Sequence, residues 1–174
     1  MCKEIIIISG LDRTGKSTVG NYLKSQGCII FECGQYVREQ TIDNKKTNIS
    51  DYYEQNMPKL NLNITNAVNL KISTIHPTKK IIIIGVRSIR LLKLLKDLGH
   101  KTTVIYMNSN FENRYKRNMN DNKNYFYKKK ELRRNDIKQY AWGLNKIKSL
   151  ANIIIENNGS KTNLTQSINL RDLL

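Results

Sequence analysis

The sequence has few cysteines, few prolines and no long hydrophobic run, and each shortage excludes a class of protein. Its three cysteines, Cys2, Cys28 and Cys33, form neither an even disulfide set nor a Cys-x-x-Cys metal pair. No apolar stretch approaches the roughly 20 residues that cross a bilayer, and the apolar run 5–8 is too short for a signal-peptide core. With two prolines, the chain contains no proline-rich linker. We therefore expect one soluble cytoplasmic domain spanning residues 1–174.

Acidic residues are also scarce, since 14 of them face 30 basic residues and leave a formal charge of +16. Such an excess is typical of proteins that bind polyanions, either nucleic acid or a phosphorylated small molecule. The abundance of Ile, Asn and Lys is equally what an AT-rich coding sequence produces without selection for charge. The densest basic run, 128–134, adjoins the aromatic residues 125–127, an arrangement that can bind single-stranded nucleic acid. No helix-turn-helix, zinc-finger or RNA-recognition signature accompanies it, so we favour a phosphorylated small molecule over nucleic acid as the partner.

Short β-branched runs alternate with helical patterns along the whole chain. The predicted strands are 4–9, 28–32, 81–84, 102–107 and 152–155, and the predicted helices include 16–24, 51–75, 91–98, 132–150 and 163–173. Pro58 predicts a break in the second of these helices, and Asn108 or Ser109 is the expected cap of a helix that follows the fourth strand. Residues 118–130 look polar and irregular. The alternation predicts an α/β domain with a five-stranded parallel sheet and two excursions, at about 34–77 and 118–131.

The segment from Gly10 to Ser17 matches the phosphate-loop pattern G-x-x-x-x-G-K-[ST] at every fixed position, between a predicted strand and a predicted helix. Its glycines allow backbone N–H groups to surround a phosphate at the helix N-terminus. Lys16 is then expected to reach the β and γ oxygens of ATP, and the Ser17 hydroxyl to bind Mg²⁺. The motif predicts a three-layer α/β/α P-loop NTPase fold.

Two residues inside the loop carry a closer resemblance. The string from Gly10 to Thr18 resembles the phosphate loop of thymidylate kinases that carry Asp-Arg there. The resemblance implies that Arg13 assists phosphoryl transfer and that Asp12 supports positioning of the acceptor.

Downstream arginines resemble those of adenylate kinases in chain order. Gly34 and Arg38 are similar to the turn that grips the acceptor monophosphate, and Arg87 to a second acceptor arginine. Arg114-x-x-Arg117 is similar to the start of a lid that closes over ATP, and Arg133, Arg134 and Asp136 to its far edge. Asn157, Asn158 and Gly159 resemble the loop that holds the ATP base in adenylate and dephospho-CoA kinases.

These motifs define the expected site. The expected ATP-binding residues are Gly10, Asp12, Arg13, Thr14, Gly15, Lys16, Ser17, Thr18, Arg114, Asn157, Asn158 and Gly159. The expected acceptor-binding residues are Asp12, Gly34, Arg38 and Arg87, and the expected catalytic residues are Lys16, Arg13, Arg87, Arg114 and Arg134.

One position departs from the family pattern. Most relatives carry an Asp just before the Gly-x-Arg of the third strand, where this chain has Ile84. Asp12, or Glu32 at the end of the second strand, is a candidate to supply the missing charge. The alternative is a weakened active site.

The resemblance implies a cytoplasmic, ATP- and Mg²⁺-dependent kinase of nucleotide biosynthesis whose acceptor is a (deoxy)nucleoside monophosphate. Three alternatives stay open: a kinase similar to dephospho-CoA kinase, a polynucleotide 5′-kinase, and a catalytically weak nucleotide-binding protein. The helical segment 51–75 can face either the acceptor or a second subunit, so a homodimer also stays open.

Overall fold

A computed structural model describes residues 4–41, 49–76, 79–119, 125–159 and 164. The strands are β1 (Glu4–Ser9), β2 (Ile29–Glu32), β3 (Ile81–Val86), β4 (Lys101–Asn108) and β5 (Ile153–Glu156). The helices are α1 (Lys16–Ser25), α2 (Cys33–Glu39), α3 (Ile49–Thr74), α4 (Ile89–Lys96), α5 (Phe111–Met119), α6 (Tyr125–Ala141) and α7 (Leu144–Ser149). None of these helices has the length and apolar character that spanning a bilayer requires.

The five strands form one parallel sheet in the order β2-β3-β1-β4-β5. Alternate side chains of β1 enter different hydrophobic clusters: Ile5 and Ile7 pack with helices α2, α3, α4 and α7, whereas Ile6 and Ile8 pack with α1. Because β1 is buried on both faces, it reads as an uninterrupted isoleucine run. The three-layer α/β/α P-loop NTPase fold is confirmed. The carboxyl end of β1, between β3 and β4, is where ligands bind in such sheets.

Helix α3 corrects the break that was predicted at Pro58. The helix runs without interruption from Ile49 to Thr74, and Pro58 lies on its exposed side. Tyr53 and Leu60, on either side of the proline, are both buried in the core. Packing of one apolar face therefore outweighs the backbone hydrogen bond that the proline removes.

Three further sequence-based boundaries were wrong. Residues 125–130 are helical rather than irregular, because α6 begins at Tyr125 and Lys129 packs over the ring of Tyr115, 5.3 Å from its centroid. The predicted helix 132–150 is divided at Gly143, which has a φ of 94°. Helix α5 is capped by Asn110, whose Oδ1 accepts from the Asn113 N–H at 2.8 Å. The predicted closing helix lies outside the described residues, except for buried Leu164.

Ile84, which stands where an Asp was expected, is a packing residue. Its side chain is 3% exposed, and an added Cβ on Gly20 of α1 would overlap its Cδ1 atom. Its register partner on β2 is Glu32, the other acidic candidate at this end of the sheet. Glycine at position 20 thus allows α1 to approach the sheet closely over a bulky aliphatic side chain.

This packing predicts that Gly20→Ala lowers the free energy of unfolding by about 1–3 kcal/mol, despite the better helix propensity of alanine, because the new methyl group overpacks the contact. The matched test is Gly20→Ala with Ile84→Val, which removes the overlapping methyl group and should restore most of the loss in urea unfolding. Equal stability of the single and double variants would contradict the contact.

Candidate active site

The phosphate loop connects β1 to α1 and depends on two glycines. Gly10 has a φ of 140° and Gly15 a φ of 95°, a region that favours glycine. An added Cβ would collide with the Met107 carbonyl oxygen at Gly10 and with the Asn157 amide at Gly15. The loop is therefore packed tightly against β4 and against the segment after β5.

Lys16 lies within the loop and is 8% exposed. Its Nζ donates to the carbonyl oxygens of Gly10 at 2.8 Å and of Leu11 at 2.6 Å. Burial lowers the pKa of this ammonium to about 7, although the Asp12 carboxylate opposes the shift. A cation held with so little solvent contact interacts strongly with any phosphate that enters the loop.

Asp12 connects the loop to two other segments. Its Oδ1 accepts from Arg87 Nη2 at 2.7 Å, and its Oδ2 accepts from Gln139 Nε2 at 2.8 Å. Burial alone would raise the pKa of this carboxyl, but Arg87, Lys16 and the hydrogen bond from Gln139 together lower it. Asp12 is therefore an ionised anchor rather than a proton acceptor near neutral pH.

Arg13 lines the cleft and is the non-glycine residue with positive φ, at 64°, among the residues described. Such a conformation costs on the order of 1–3 kcal/mol and persists where surrounding contacts impose it. Here Arg117 Nη1 donates to the Arg13 carbonyl oxygen at 3.1 Å. The loop backbone is thus held with the Arg13 side chain on the exposed side.

Arg114 lies beneath the loop, not in the cleft. Its guanidinium is 3% exposed and binds Asp136 through two bonds of 2.8 and 2.6 Å. A third donation, at 3.3 Å, reaches the backbone oxygen of Asp12. The geometry makes Arg114 a brace for the loop rather than a group that faces phosphate.

Arg134 is not brought into the cleft either. Its guanidinium is 61% exposed and binds Asp51 of α3 at 3.0 Å. Lys138 binds the same carboxylate at 2.5 Å and also pairs with Glu54. These bonds join α6 to α3, and Arg134 is not among the residues that line the cleft described below, so no contact supports its expected catalytic role.

A cleft of about 950 Å³ gathers most of the remaining predicted residues. Its lining includes Asp12, Arg13, Gly15, Lys16, Ser17, Thr18, Arg38, Arg87, Asn157 and Gly159. Thr14 is buried behind it and donates its hydroxyl to the Leu11 carbonyl oxygen at 2.8 Å. Gly34 borders, with Arg87, an adjoining apolar niche of about 20 Å³.

The predicted base-binding loop joins the phosphate loop directly. Asn157 is 5% exposed and donates its amide to the Thr14 carbonyl oxygen at 2.9 Å. Asn158 Oδ1 accepts from the Asn110 backbone N–H at 2.9 Å, which fixes the loop against the start of α5. Gly159 then lies at the cleft wall.

Five residues that line the cleft were not among the expected site residues, although Arg117 was expected at the start of the lid: Arg117, Glu131, Leu132, Asn135 and Leu164. Arg117 is the most connected of them, since its Nη2 donates to the Asn157 carbonyl oxygen at 2.8 Å and to that of Gly159 at 3.3 Å. With its bond to Arg13, this one guanidinium links the phosphate loop to the base-binding loop. The sequence signal that could have identified Arg117 as a site residue is its place as the second arginine of the Arg-x-x-Arg pair.

We expect Arg117→Met to raise the KM for ATP about tenfold, because two loops that should hold the same nucleotide lose their shared donor. The matched control is Lys116→Met, which removes an exposed cation from the same helix. Steady-state kinetics with ATP as the varied substrate measures the effect. Similar KM values for the two variants would show that the link does not shape the ATP site.

The magnesium expectation rests on Ser17, which is exposed at the cleft wall. Within the described ranges, no three His, Cys, Asp or Glu side chains gather into a metal site. The single hydroxyl oxygen of Ser17 fits Mg²⁺, which is commonly held by one or two protein oxygens together with substrate phosphates and water.

Comparisons with known proteins bear on the family and the fold. A family model described as an AAA domain matches residues 6–140, whereas curated protein sequences give no match. Among solved structures, TT1252 from Thermus thermophilus has a TM-score of 0.64 at 15% identity, with 100% of both chains covered. A sugar kinase from a Janibacter species has a TM-score of 0.61 at 13% identity, covering 98% of this chain and 94% of that one. A shikimate kinase from Bacteroides thetaiotaomicron has a TM-score of 0.58 at 11% identity, covering 97% and 96%.

Identities this low show a shared fold and nothing further. Because the matched region, 6–140, takes in most of the 174 residues, the chain belongs to the AAA-domain family.

Proposed function

We propose that this protein transfers the γ-phosphoryl group of ATP to the phosphate of a (deoxy)nucleoside monophosphate. The observation that carries the proposal is that Arg38 and Arg87 line the same cleft as Lys16. Guanidinium groups bind phosphate through parallel hydrogen bonds, so two arginines beside a phosphate loop suit an acceptor that itself carries phosphate.

The donor side uses the phosphate loop. Lys16 binds the β and γ oxygens, and Arg13 neutralises charge that develops on the transferring group. The Ser17 hydroxyl would hold Mg²⁺, which would supply further positive charge at the phosphates. Asn157 and Gly159 belong to the loop that contacts the base of ATP. Arg114 acts indirectly, through the loop backbone.

The acceptor side explains the chemistry of Asp12. A phosphate monoester has a second pKa near 6, so it is already an ionised nucleophile at neutral pH and needs no general base. Asp12 has a lowered pKa, and both of its oxygens accept hydrogen bonds, which makes it a weak base. A site without a strong base favours a phosphate acceptor over an alcohol.

A hydroxyl acceptor, as in dephospho-CoA kinase, is the second candidate. The observation in its favour is that the Asp12 carboxylate lies at the cleft wall, where an alcohol can approach it. For such an acceptor Asp12 would have to accept the hydroxyl proton in the transition state. A polynucleotide 5′-end is a special case of this candidate.

A coupled ADP-release assay separates these functions. Wild-type protein with ATP and Mg²⁺ is tested against nucleoside and deoxynucleoside monophosphates, dephospho-CoA and 5′-hydroxyl oligonucleotides. We expect turnover with a monophosphate, and we expect Arg38→Met to raise the KM for that acceptor at least tenfold. Lys24→Met, an exposed change on α1, is the control. Turnover with hydroxyl acceptors alone, or ATP binding without any turnover, would overturn the proposal.

A further inference from the structure

Gln139 of α6 is a buried amide aimed at the phosphate loop. Its residue surface is 0% exposed, and its Nε2 donates to Asp12 Oδ2 at 2.8 Å. Its Oε1 has no hydrogen-bond partner among the residues described. An apolar side chain would fill this place without leaving a buried acceptor unsatisfied. The bond to Asp12 is therefore what the amide contributes at this position and an apolar side chain would not.

Two Arg–Asp pairs in this structure differ in the number of bonds that they share. Arg114 and Asp136 form a two-bond pair that engages both oxygens of the carboxylate. Arg87 and Asp12 share a single bond of 2.7 Å, and the second oxygen of Asp12 accepts from Gln139 instead. A guanidinium carries five N–H donors, so a single bond leaves most of the Arg87 donors available to the cleft.

We propose that Gln139 is a positioning residue for phosphoryl transfer, which caps one oxygen of Asp12 and so keeps Arg87 from closing a two-bond pair with that carboxylate. Arg87 is thereby held in orientation by Asp12 while its other donors face the acceptor phosphate. The inference rests on the proposed function, in which Arg87 binds that phosphate. Arg87 lines the cleft. Gln139 does not line it, and its hydrogen bond to Asp12 is what connects it to Arg87.

The first test is Gln139→Met, which keeps the length of the side chain and removes the donor. We expect the KM for the acceptor to rise about 10- to 100-fold, the effect of one hydrogen bond to a charged group, and the KM for ATP to change little. Ile137→Met, on the same helix and 70% exposed, is the control. Equal rises in the KM values for the acceptor and for ATP, together with a lower melting temperature, would indicate a merely structural role and overturn the proposal.

The second test is Gln139→Glu, which has the same shape. When protonated, the new carboxyl group can donate to Asp12; when ionised, it repels Asp12. The charged groups around Asp12 are Arg87, Lys16 and Arg114, the last of them paired with Asp136. We expect the activity of this variant, relative to wild type, to rise as the pH falls, a rescue that Gln139→Met must lack. A pH-independent ratio would contradict the proposal.

A third readout needs no turnover. Loss of the Gln139 donor alone would raise the pKa of the Asp12 carboxyl, because that hydrogen bond is one of the interactions that lower it. In Gln139→Met we expect Arg87 to bond the freed oxygen, and this second charge-assisted bond should keep the pKa at or below its wild-type value. Carbon-13 NMR of labelled aspartate, assigned with Asp12→Asn, measures this pKa in wild type and in Gln139→Met. If wild type phosphorylates no acceptor, the proposed function fails and this titration still decides the role of Gln139. A higher pKa in Gln139→Met would show that Arg87 does not close the two-bond pair, and would refute that role.

Discussion

Replacing Lys16 with methionine is expected to lower kcat for phosphoryl transfer by about 10²–10³-fold, because the buried ammonium is the loop's charge opposite the transferring group. ATP affinity should fall as well. Single-turnover kinetics and titration with a fluorescent ATP analogue measure the two effects. Lys24→Met, on the exposed side of the same helix, should leave both near wild type.

Lys16→Met should not be less stable than the wild-type protein. The folded-state pKa of Lys16, about 7, lies below its ordinary value of 10.5, so the folded protein binds fewer protons than the unfolded chain between these values. The charged lysine therefore opposes folding, fully below pH 7 and progressively less as the pH rises toward 10.5. We expect Lys16→Met to melt at or above the wild-type temperature at pH 6, with the difference shrinking by pH 10.

Loss of activity together with loss of stability at pH 6 would contradict this account, because the buried ammonium would then be part of the fold rather than a cost to it. Unchanged ATP affinity and unchanged turnover would overturn the phosphate-loop assignment itself. A gain in melting temperature with inactive protein is the combination that the electrostatics predicts.

The fold was predictable because its signals are local. Strand β1 begins at Glu4 and ends at Ser9, as the isoleucine run and the following glycine indicated. The phosphate loop carries its own context, since a buried strand, two glycines and a helix determine its backbone. The break predicted at Pro58 in α3 was wrong because packing of a long apolar face is not a local property.

The site was harder to predict because a motif specifies chain order and not side-chain direction. Neighbouring helical residues point about 100° apart, so on α6 Glu131 and Asn135 face the cleft while Arg134 faces α3. Arg114 is diverted beneath the loop by Asp136, a partner 22 residues further along the chain. Such pairings depend on how α5 meets α6, which no short motif encodes.

Gln139 shows the same limit more sharply. In the sequence it is one polar residue within a polar helix, and nothing distinguishes it from exposed neighbours such as Tyr140. In the fold it is fully buried against Asp12, 127 residues earlier in the chain. A functional role that depends on contact with a motif is invisible until the contact is known.

Arg114→Met is expected to lower the free energy of unfolding by about 3–5 kcal/mol, because it leaves the Asp136 carboxylate buried without its partner. Urea unfolding measures the loss. The control is Arg114→Met with Asp136→Leu, which removes both charges and should recover most of the stability, since replacing a buried ion pair by apolar side chains is often neutral. A loss below about 1 kcal/mol in the single variant would contradict the buried pair.

The double variant also separates the two possible roles of Arg114. If Arg114 only braces the loop through the Asp12 carbonyl oxygen, a refolded double variant should lose about tenfold in kcat or less, the effect of one hydrogen bond. If the guanidinium instead reaches the transferring phosphate during the reaction, kcat should fall by about 10²–10³-fold although stability is restored. The buried two-bond pair with Asp136 favours the smaller loss, because swinging Arg114 toward the cleft would leave that carboxylate uncompensated in the protein interior.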